Sequence, residues 1–183
     1  MKKILIIFLI INFNNFAQGS VNEKIITSLK RISNLSFDFE QNVNGKIENG
    51  KCIIKYPKKI NCKYDDSNNK ILVSNGNSLV IKTEVGSYYR YPLKNTPLDL
   101  ILDKNFILNE IKNLNKKIID NDLISFSLKK EEVEIQIFFN KDTYNINGWQ
   151  TSDIYQNKSL TIISNIIKNK EIKPEIFKLP KFN

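Results

Sequence analysis

The sequence has 183 residues, of which 41% are apolar and 26% are charged. These values are typical of a globular protein and exclude both an intrinsically disordered chain and a membrane protein with many spans. The formal net charge is +9, but the lysines are scattered between apolar residues and form no single block. A solvated basic surface therefore explains the charge better than a nucleic-acid or anion-binding face, and we expect no nucleic-acid partner.

The sequence lacks the side chains on which most catalytic sites depend. It contains no histidine, which excludes serine–histidine and cysteine–histidine nucleophiles and most zinc sites. Its six glycines are isolated, so no phosphate-binding loop is present. Two carboxylate pairs, Asp38 with Glu40 and Glu132 with Glu134, alternate with apolar residues and are typical of the outer face of a strand. We therefore expect no enzyme activity, no cofactor and no metal.

The N-terminus has the layout of a secretory signal peptide. Lys2 and Lys3 precede an apolar run over residues 4–11, which is too short to span a bilayer, and Ala17 and Gly19 form a small-x-small cleavage pattern. We predict that residues 1–19 are removed, with cleavage after Ala17 as the alternative. Residues 20–183 then form one domain, and its net charge is 9 − 2 = +7.

Two segments have helical periodicity. From Val21 to Leu35 apolar residues recur every three or four positions, with Ser20 as the N-cap and Glu23 completing a capping box. In a second stretch from Thr96 to Leu114, Pro97 can occupy the first helical position after Thr96 as N-cap. An interruption at residues 103–105 predicts two short helices.

The rest of the chain alternates with a period of two, first in Phe37, Phe39, Gln41 and Val43 and most clearly from Glu132 to Asn140. Turn residues separate these segments, and no segment is suited to repeated βαβ crossovers. The fold class is therefore mainly β, with an antiparallel, up-and-down sheet. The predicted turns are Asn44-Gly45, Asn49-Gly50, 65–69, Asn75-Gly76, Asp120-Asn121, 140–142 and Asn147-Gly148.

Cys52 and Cys62 are the only cysteines. If residues 56–58 form a three-residue hairpin loop, Ile54 pairs with Ile60 and Cys52 lies directly opposite Cys62. An exported chain reaches a compartment that permits disulfides, so we predict a Cys52–Cys62 bond, with two buried free thiols as the alternative.

One side of the predicted sheet is strongly apolar. Its residues are Phe37, Phe39, Ile54, Tyr56, Ile60, Tyr64, Ile71, Val73, Leu79, Ile81, Tyr89 and Tyr91. One amphipathic helix and a short helical loop, contributing Ile25, Leu29, Ile32 and Leu98, cover that side. They need not fill a strongly curved sheet, which would leave a pocket for a hydrophobic ligand. On periodicity alone, a fully packed core is the simpler interpretation.

A series of short motifs in order resembles the LolA family of outer-membrane lipoprotein carriers. The motifs cover nearly the whole exported chain. They are Phe39-Glu40-Gln41, Gly50 with Lys55-Tyr56-Pro57 and Tyr64, residues 71–76, Tyr91-Pro92-Leu93, Thr96-Pro97-Leu98, Gly148-Trp149 with Asp153, and residues 177–180.

The resemblance implies an unclosed antiparallel β-barrel whose helices form a lid over a hydrophobic cavity. Such a carrier binds lipoprotein acyl chains without a cofactor and acts as a monomer in the periplasm. Its partners are acylated lipoproteins, an ATP-driven releasing complex of the inner membrane, and either an outer-membrane receptor or the outer membrane itself. The resemblance thus converts the apolar set above into a predicted acyl-chain cavity.

One position departs from the family pattern. The family commonly has an arginine, implicated in holding the lid closed, immediately before the proline that matches Pro57, and this sequence has Tyr56. Tyrosine offers one hydroxyl donor and no charge. Lys55, Lys58 and Lys59 are the candidate substitutes.

Two other functions compete with a carrier. A periplasmic regulatory domain of similar fold that senses a lipid or lipoprotein is one alternative, and an added domain or a second membrane anchor would favour it. A periplasmic hydrolase is the other, and it would need acids that converge in a polar cleft, whereas the acids here only alternate.

Overall fold

The computed structural model describes residues 20–66, 68–84, 86–119, 122–152 and 157–182. The predicted signal peptide with its two cleavage positions and the predicted Asp120-Asn121 turn lie outside these residues, as does Asp153. None of the helices in the described part of the chain is long and apolar enough to span a membrane.

A first helix is followed by six strands, two short helices and five further strands in the described residues. The helices are α1 (Val21–Lys30), α2 (Leu98–Ile101) and α3 (Lys104–Ile111), and single 3-10 turns occupy Leu93–Asn95 and Pro174–Phe177. The strands are β1 (Asn34–Val43), β2 (Lys46–Lys55), β3 (Lys59–Tyr64), β4 (Ile71–Asn75), β5 (Ser78–Lys82), β6 (Tyr88–Pro92), β7 (Lys117–Ile119), β8 (Leu123–Lys130), β9 (Val133–Asn140), β10 (Ile146–Ser152) and β11 (Lys158–Lys168).

The described strands form one antiparallel sheet in the order β6-β5-β4-β3-β2-β1-β11-β10-β9-β8-β7. Sequential strands pair as hairpins, and the long pairing of β1 with β11 joins the two halves of the chain. β6 and β7 lie at opposite edges and do not pair with each other, so the sheet is not closed. The predicted unclosed antiparallel β structure with short helices is confirmed.

Helix α1 begins as its sequence predicts. The Ser20 hydroxyl accepts a hydrogen bond from the Glu23 main chain at 3.2 Å, and the Glu23 carboxylate accepts one from the Ser20 main chain at 2.7 Å. The predicted end at Leu35 is wrong, because the helix ends at Lys30 and Leu35 belongs to β1. Leu35 continues the helical spacing by coincidence, since pairing with β2 and β11 determines its backbone conformation.

The second helical stretch consists of two short helices, as predicted. Asp103 separates them, and its carboxylate caps α3 by accepting a hydrogen bond from the Phe106 main chain at 3.1 Å. Pro97, not Thr96, precedes the first helical residue of α2. The Thr96 hydroxyl donates instead to the Leu93 carbonyl at 2.8 Å.

Two predicted Asn-Gly turns lie inside strands. Gly50 is in β2, where a Cβ atom would meet the Phe39 ring at 2.8 Å and would collide with the Lys63 carbonyl. Gly148 is in β10, beside an irregular register, where a Cβ atom would collide with the Thr161 carbonyl. Both glycines permit close packing of neighbouring chain segments, which the local dipeptide cannot distinguish from a turn.

The β2–β3 hairpin has the predicted register. Lys55 pairs with Lys59, Ile54 with Ile60 and Cys52 with Cys62. The two cysteines form a disulfide in the structure. The bond closes a loop with a sequence separation of 10, and the chain-entropy model assigns a loop of this size about 3 kcal/mol of stabilisation.

Helices fill only one half of the concave side. Strands β8 and β9 direct buried apolar residues toward α1, α2 and α3, and these side chains form a packed cluster. Its largest fully buried members include Phe126, Phe139, Ile25, Ile101, Ile107 and Ile111. Over β1–β5 the start of α2 leaves part of the concave side unfilled, and this difference creates the candidate site.

Candidate functional site

A mainly apolar cavity of about 220 Å³ lies between the concave face of β1–β5, β10 and β11 and the start of α2. Because side chains alternate across a strand, each strand contributes every second residue. The lining residues are Phe39, Gln41, Cys52, Ile60, Cys62, Tyr64, Leu72, Leu79, Ile81, Thr96, Pro97, Leu98, Trp149, Thr151 and Thr161. No charged side chain is among them.

A larger cleft of about 690 Å³ lies between α1 and the β9–β10 connection. Its walls include Glu23, Lys24, Arg31 and Lys168, and it is open to solvent. A hydrophobic ligand on such an open, charged surface would stay largely in contact with water. Because the binding energy scales with the apolar area removed from water, such a ligand would bind weakly there. The apolar cavity is therefore the candidate site.

Six of the predicted cavity residues line this cavity. They are Phe39, Ile60, Tyr64, Leu79, Ile81 and Leu98. All except Leu98 come from the β1–β5 half of the sheet. The period-two pattern was sufficient to place them on the concave face.

Six further predicted residues lie outside the cavity. Ile25, Leu29, Ile32, Phe37, Ile54 and Tyr56 join the hydrophobic cluster and do not line the cavity. Helix α1 directs its apolar face into the core, whereas the start of α2 covers the cavity. The helix packs against α3, and the Asn22 amide joins the two helices by donating to the Ile111 and Leu114 carbonyls at 2.7 and 3.0 Å.

Strand β4 has the opposite phase from the one predicted. Cys62 pairs with Leu72, so Leu72 faces the cavity and Val73 lies on the other face of the sheet. Ile71 and Val73 are therefore not cavity residues. A slip of one residue reverses every side chain of a strand, and the β3–β4 connection determines this register.

Tyr89 and Tyr91 extend the concave face beyond the cavity. They pair with Ile81 and Leu79, which line the cavity, but they are 53% and 44% exposed. Both residues belong to the edge strand β6, which the helices do not reach. Neither tyrosine lines the cavity in this closed arrangement.

A polar latch joins the β2–β3 hairpin to the lid, which we define as α2 and α3. The Lys58 ammonium lies 2.8 Å from an Asp99 carboxylate oxygen and 3.6 Å from one of Asp103. The Lys58 main-chain N–H also donates to the Leu102 carbonyl at 3.0 Å. Of the three candidate lysines, Lys58 is thus the one that contacts α2 and the α2–α3 connection.

The electrostatic balance keeps the latch charged at neutral pH. Burial of the Lys58 side chain lowers the pKa of its ammonium, but the Asp99 and Asp103 carboxylates outweigh this and the net pKa is raised. Because the folded pKa lies above the unfolded value, the contribution of Lys58 is complete at pH values below about 10.4 and is lost as pH rises through the folded pKa.

Tyr56 has no part in the latch through its hydroxyl. That hydroxyl is buried and finds no hydrogen-bond partner among the described residues, and burial raises its pKa. A second lysine acts nearby, since the Lys104 ammonium donates to the Ile32 carbonyl at 2.6 Å and lies 5.5 Å from the centre of the Tyr56 ring. Lys104 therefore ties α3 to the end of α1.

We predict that Lys58→Met loosens the lid without unfolding the sheet. The substitution leaves the Asp99 carboxylate, whose side chain is 11% exposed, without its cation. Charge-assisted hydrogen bonds contribute about 1.5–3 kcal/mol, so the amides of α2 and α3 should exchange with solvent about tenfold faster or more. Hydrogen exchange followed by mass spectrometry measures this directly.

The matched control for this experiment is Lys59→Met, which removes a neighbouring lysine that forms no ion pair among the described residues. It should leave lid exchange unchanged, and Lys58→Arg should retain most of the protection. Equal exchange in Lys58→Met and Lys59→Met would contradict the latch.

The sequence reasoning missed the polar part of the cavity wall. Gln41, Thr151 and Thr161 line the cavity together with Trp149 and Leu72. Gln41 could have been found, because it follows Phe39 by two positions on the same strand face. The threonines come from strands that were predicted only as part of the sheet, and their approach to Gln41 depends on the β1–β11 pairing.

Within the described residues, no group of three or more acidic or cysteine side chains could hold a metal ion. Asp38, Glu40 and Glu134 lie in strands, and Glu132 lies in the turn before β9. Asp38 is bound by Lys51 at 2.7 Å and by the Asn165 amide at 2.8 Å. The cavity is thus suited to bind an apolar ligand.

Comparison with known proteins supports this description. The family model "Outer membrane lipoprotein carrier protein LolA" matches residues 30–180. No curated protein matches the sequence significantly. Among solved structures, an uncharacterized conserved protein from Thermus thermophilus is 3% identical with a TM-score of 0.51, covering 88% of this chain and 93% of its own.

Two other solved structures are more distant in shape. The LolA superfamily protein NE2245 from Nitrosomonas europaea is 9% identical with a TM-score of 0.45, covering 88% of this chain and 99% of its own. The Mycobacterium tuberculosis lipoprotein LppX is 9% identical with a TM-score of 0.43, covering 84% and 96%. Since the family model spans well over half of the 183 residues, this chain belongs to the LolA family of outer membrane lipoprotein carrier proteins.

Proposed function

We propose that this protein is a periplasmic carrier that binds the acyl chains of lipoproteins in its apolar cavity and moves them from the inner to the outer membrane. The observation that carries the proposal is the uncharged cavity under a lid held by a polar latch, in a chain of the LolA family. Acyl chains gain about 25 cal/mol for each Å² of apolar surface removed from water.

The size of the cavity implies that the lid moves during loading. Ligand pockets typically measure about 300–1,000 Å³, whereas this one measures about 220 Å³. A lipid with several acyl chains therefore needs α2 to withdraw from the sheet. Lys58 and its two aspartates can release the lid when hydration of the separated charges replaces their ion pairs.

The transport route rests on the family and on the N-terminal sequence. A signal peptide over residues 1–19 would deliver the chain to the periplasm, where an ATP-driven complex of the inner membrane would supply lipoproteins. An outer-membrane receptor, or that membrane itself, would accept them. Such a carrier needs no catalytic group and no cofactor, since transfer depends on the relative affinities of successive binding sites.

The test is isolation of the tagged protein from the periplasm of its native host, followed by mass spectrometry of bound molecules. Triacylated lipoproteins should accompany the wild-type protein and be absent from the folded Leu79→Asp variant. Recovery of one protein partner without acyl chains would favour a regulatory domain. Equal recovery of lipoproteins with both proteins would show that the cavity does not bind them.

A further inference from the structure

Polar side chains gather at one end of the apolar cavity. Gln41 of β1 pairs with Thr161 of β11, and Thr151 of β10 lies one strand further along, paired with Ser159. Tyr64 of β3 approaches the same end from the other side. Apolar residues such as Leu79 and Leu98 form other parts of the cavity wall. A bound lipid would therefore meet one polar region in a wall that is otherwise mostly apolar.

The hydrogen bonds within this polar group leave donors available. The Gln41 amide nitrogen donates to the Thr161 and Ser159 hydroxyl oxygens, both at 3.1 Å. The Tyr64 hydroxyl donates to the Gln41 amide oxygen at 3.4 Å. A hydroxyl can donate one hydrogen bond in addition to those that its oxygen accepts. Thr161 only accepts from Gln41, so its hydroxyl hydrogen has no acceptor among the described residues although Thr161 is only 3% exposed.

Thr151 adds a second free donor. Its hydroxyl makes no hydrogen bond to any residue in the described part of the chain, and its side chain lines the cavity beside Thr161. The remaining cavity hydroxyl, that of Thr96, already donates to the Leu93 carbonyl. Two threonine hydroxyls thus offer hydrogens to whatever fills this end of the cavity.

The neighbouring charges are compensated. The Glu48 carboxylate of β2 forms ion pairs with the Lys46 and Lys70 ammonium groups. The Lys70 ammonium also lies 3.7 Å from the centre of the Tyr64 ring. Burial, with a smaller contribution from the Glu48 and Asp66 charges, raises the pKa of the Tyr64 hydroxyl, so Tyr64 stays neutral. No cation lines the cavity to hold a carboxylate or a phosphate.

From this arrangement we infer that Thr151 and Thr161, with Gln41 positioning Thr161, form a hydrogen-bonding site for the ester carbonyls of glyceride-linked acyl chains. The inference rests on the proposed function and adds a ligand class to it. An ester carbonyl is a neutral acceptor that matches a neutral hydroxyl donor. A fatty acid carboxylate would lose its hydration here without meeting a cation.

The decisive comparison uses two neutral lipids of equal chain length. Dihexadecanoylglycerol has two ester carbonyls, and di-O-hexadecylglycerol has ether oxygens in their place. Their affinities are measured by displacement of a fluorescent apolar probe from the delipidated full-length protein. The wild-type protein should bind the diester about five- to tenfold more tightly than the diether, as expected for one or two hydrogen bonds to neutral donors.

The double variant Thr151→Val/Thr161→Val keeps the side-chain shape and removes both hydroxyls. It should bind the two lipids with equal affinity, and Thr151→Ser/Thr161→Ser should restore the preference for the diester. Thermal unfolding checks that each variant is folded. A wild-type protein without preference, or a valine variant that retains it, overturns the ester site while leaving the carrier intact. Failure to bind either lipid overturns the carrier as well.

Discussion

The Leu79→Asp variant should lose the uptake of acylated ligands. Leu79 is 4% exposed and lines the apolar cavity. A carboxylate placed there meets no cation within the cavity wall, and an unpaired buried charge costs several kcal/mol. We expect the affinity for a lipoprotein or a neutral glyceride to fall by about 100-fold or more, since each 1.4 kcal/mol is a factor of ten. Release of a labelled lipoprotein from inner-membrane vesicles measures the loss.

Two controls separate a loss of binding from a loss of fold. Leu79→Ala enlarges the cavity and should retain uptake, although truncating a buried leucine costs about 2–5 kcal/mol of stability. Asp38→Asn and Glu40→Gln change charges on the opposite face of β1 and should have little effect, because surface ion pairs contribute little. If these two variants stop release while folded Leu79→Asp does not, a polar site elsewhere performs the function.

Fixing the lid in its closed position should also block uptake. In the variant Lys58→Cys/Asp103→Cys, a short thiol-reactive cross-linker replaces the ion pair between the hairpin and the lid. Both native cysteines are disulfide-bonded and do not compete for the reagent. The closed cavity of about 220 Å³ is too small for a lipid with several acyl chains. If loading requires the lid to move, the cross-link should block it, and we expect the uptake rate to fall about tenfold or more.

The matched control places the same cross-linker within the sheet. Lys59 and Asn75 are paired residues of β3 and β4, so Lys59→Cys/Asn75→Cys bears the same modification without connecting the lid. This protein, and the Lys58→Cys/Asp103→Cys variant before cross-linking, should take up ligand. Normal uptake by the cross-linked lid variant would show that loading occurs without movement of α2 and α3.

Several local features of this protein follow from its sequence alone. The Ser20–Glu23 capping box involves residues three positions apart, and the hairpin that brings Cys52 opposite Cys62 depends only on the length of one turn. Alternation of apolar and polar residues along β1 and β9 likewise predicted a half-buried sheet. In each case the interacting residues lie close together in the chain, so that one window of sequence contains both partners.

Only the tertiary structure decided which apolar residues enclose the cavity. Ile25, Val73 and Leu79 all belong to apolar faces that local periodicity predicts, yet Ile25 packs in the core outside the cavity and Val73 lies on the other face of the sheet. Likewise, the Asn49-Gly50 dipeptide alone predicts a turn. The structure shows that Gly50 is needed because the Phe39 ring and the Lys63 carbonyl pack against it. Burial depends on strand register and on which helix covers which strands, and those relations join segments far apart in the chain.

The latch and the polar end of the cavity also depend partly on local sequence and partly on long-range packing. Lys58 meets Asp99 across 41 positions and Gln41 meets Thr161 across 120. The sequence by itself determined that lysines flank Pro57 and that Gln41 shares a face with Phe39. Folding selected Lys58 because the hairpin and the α2–α3 connection meet there, and it placed the threonines beside Gln41 because β11 pairs with β1. Contacts of such separation are determined by packing, which no local pattern encodes.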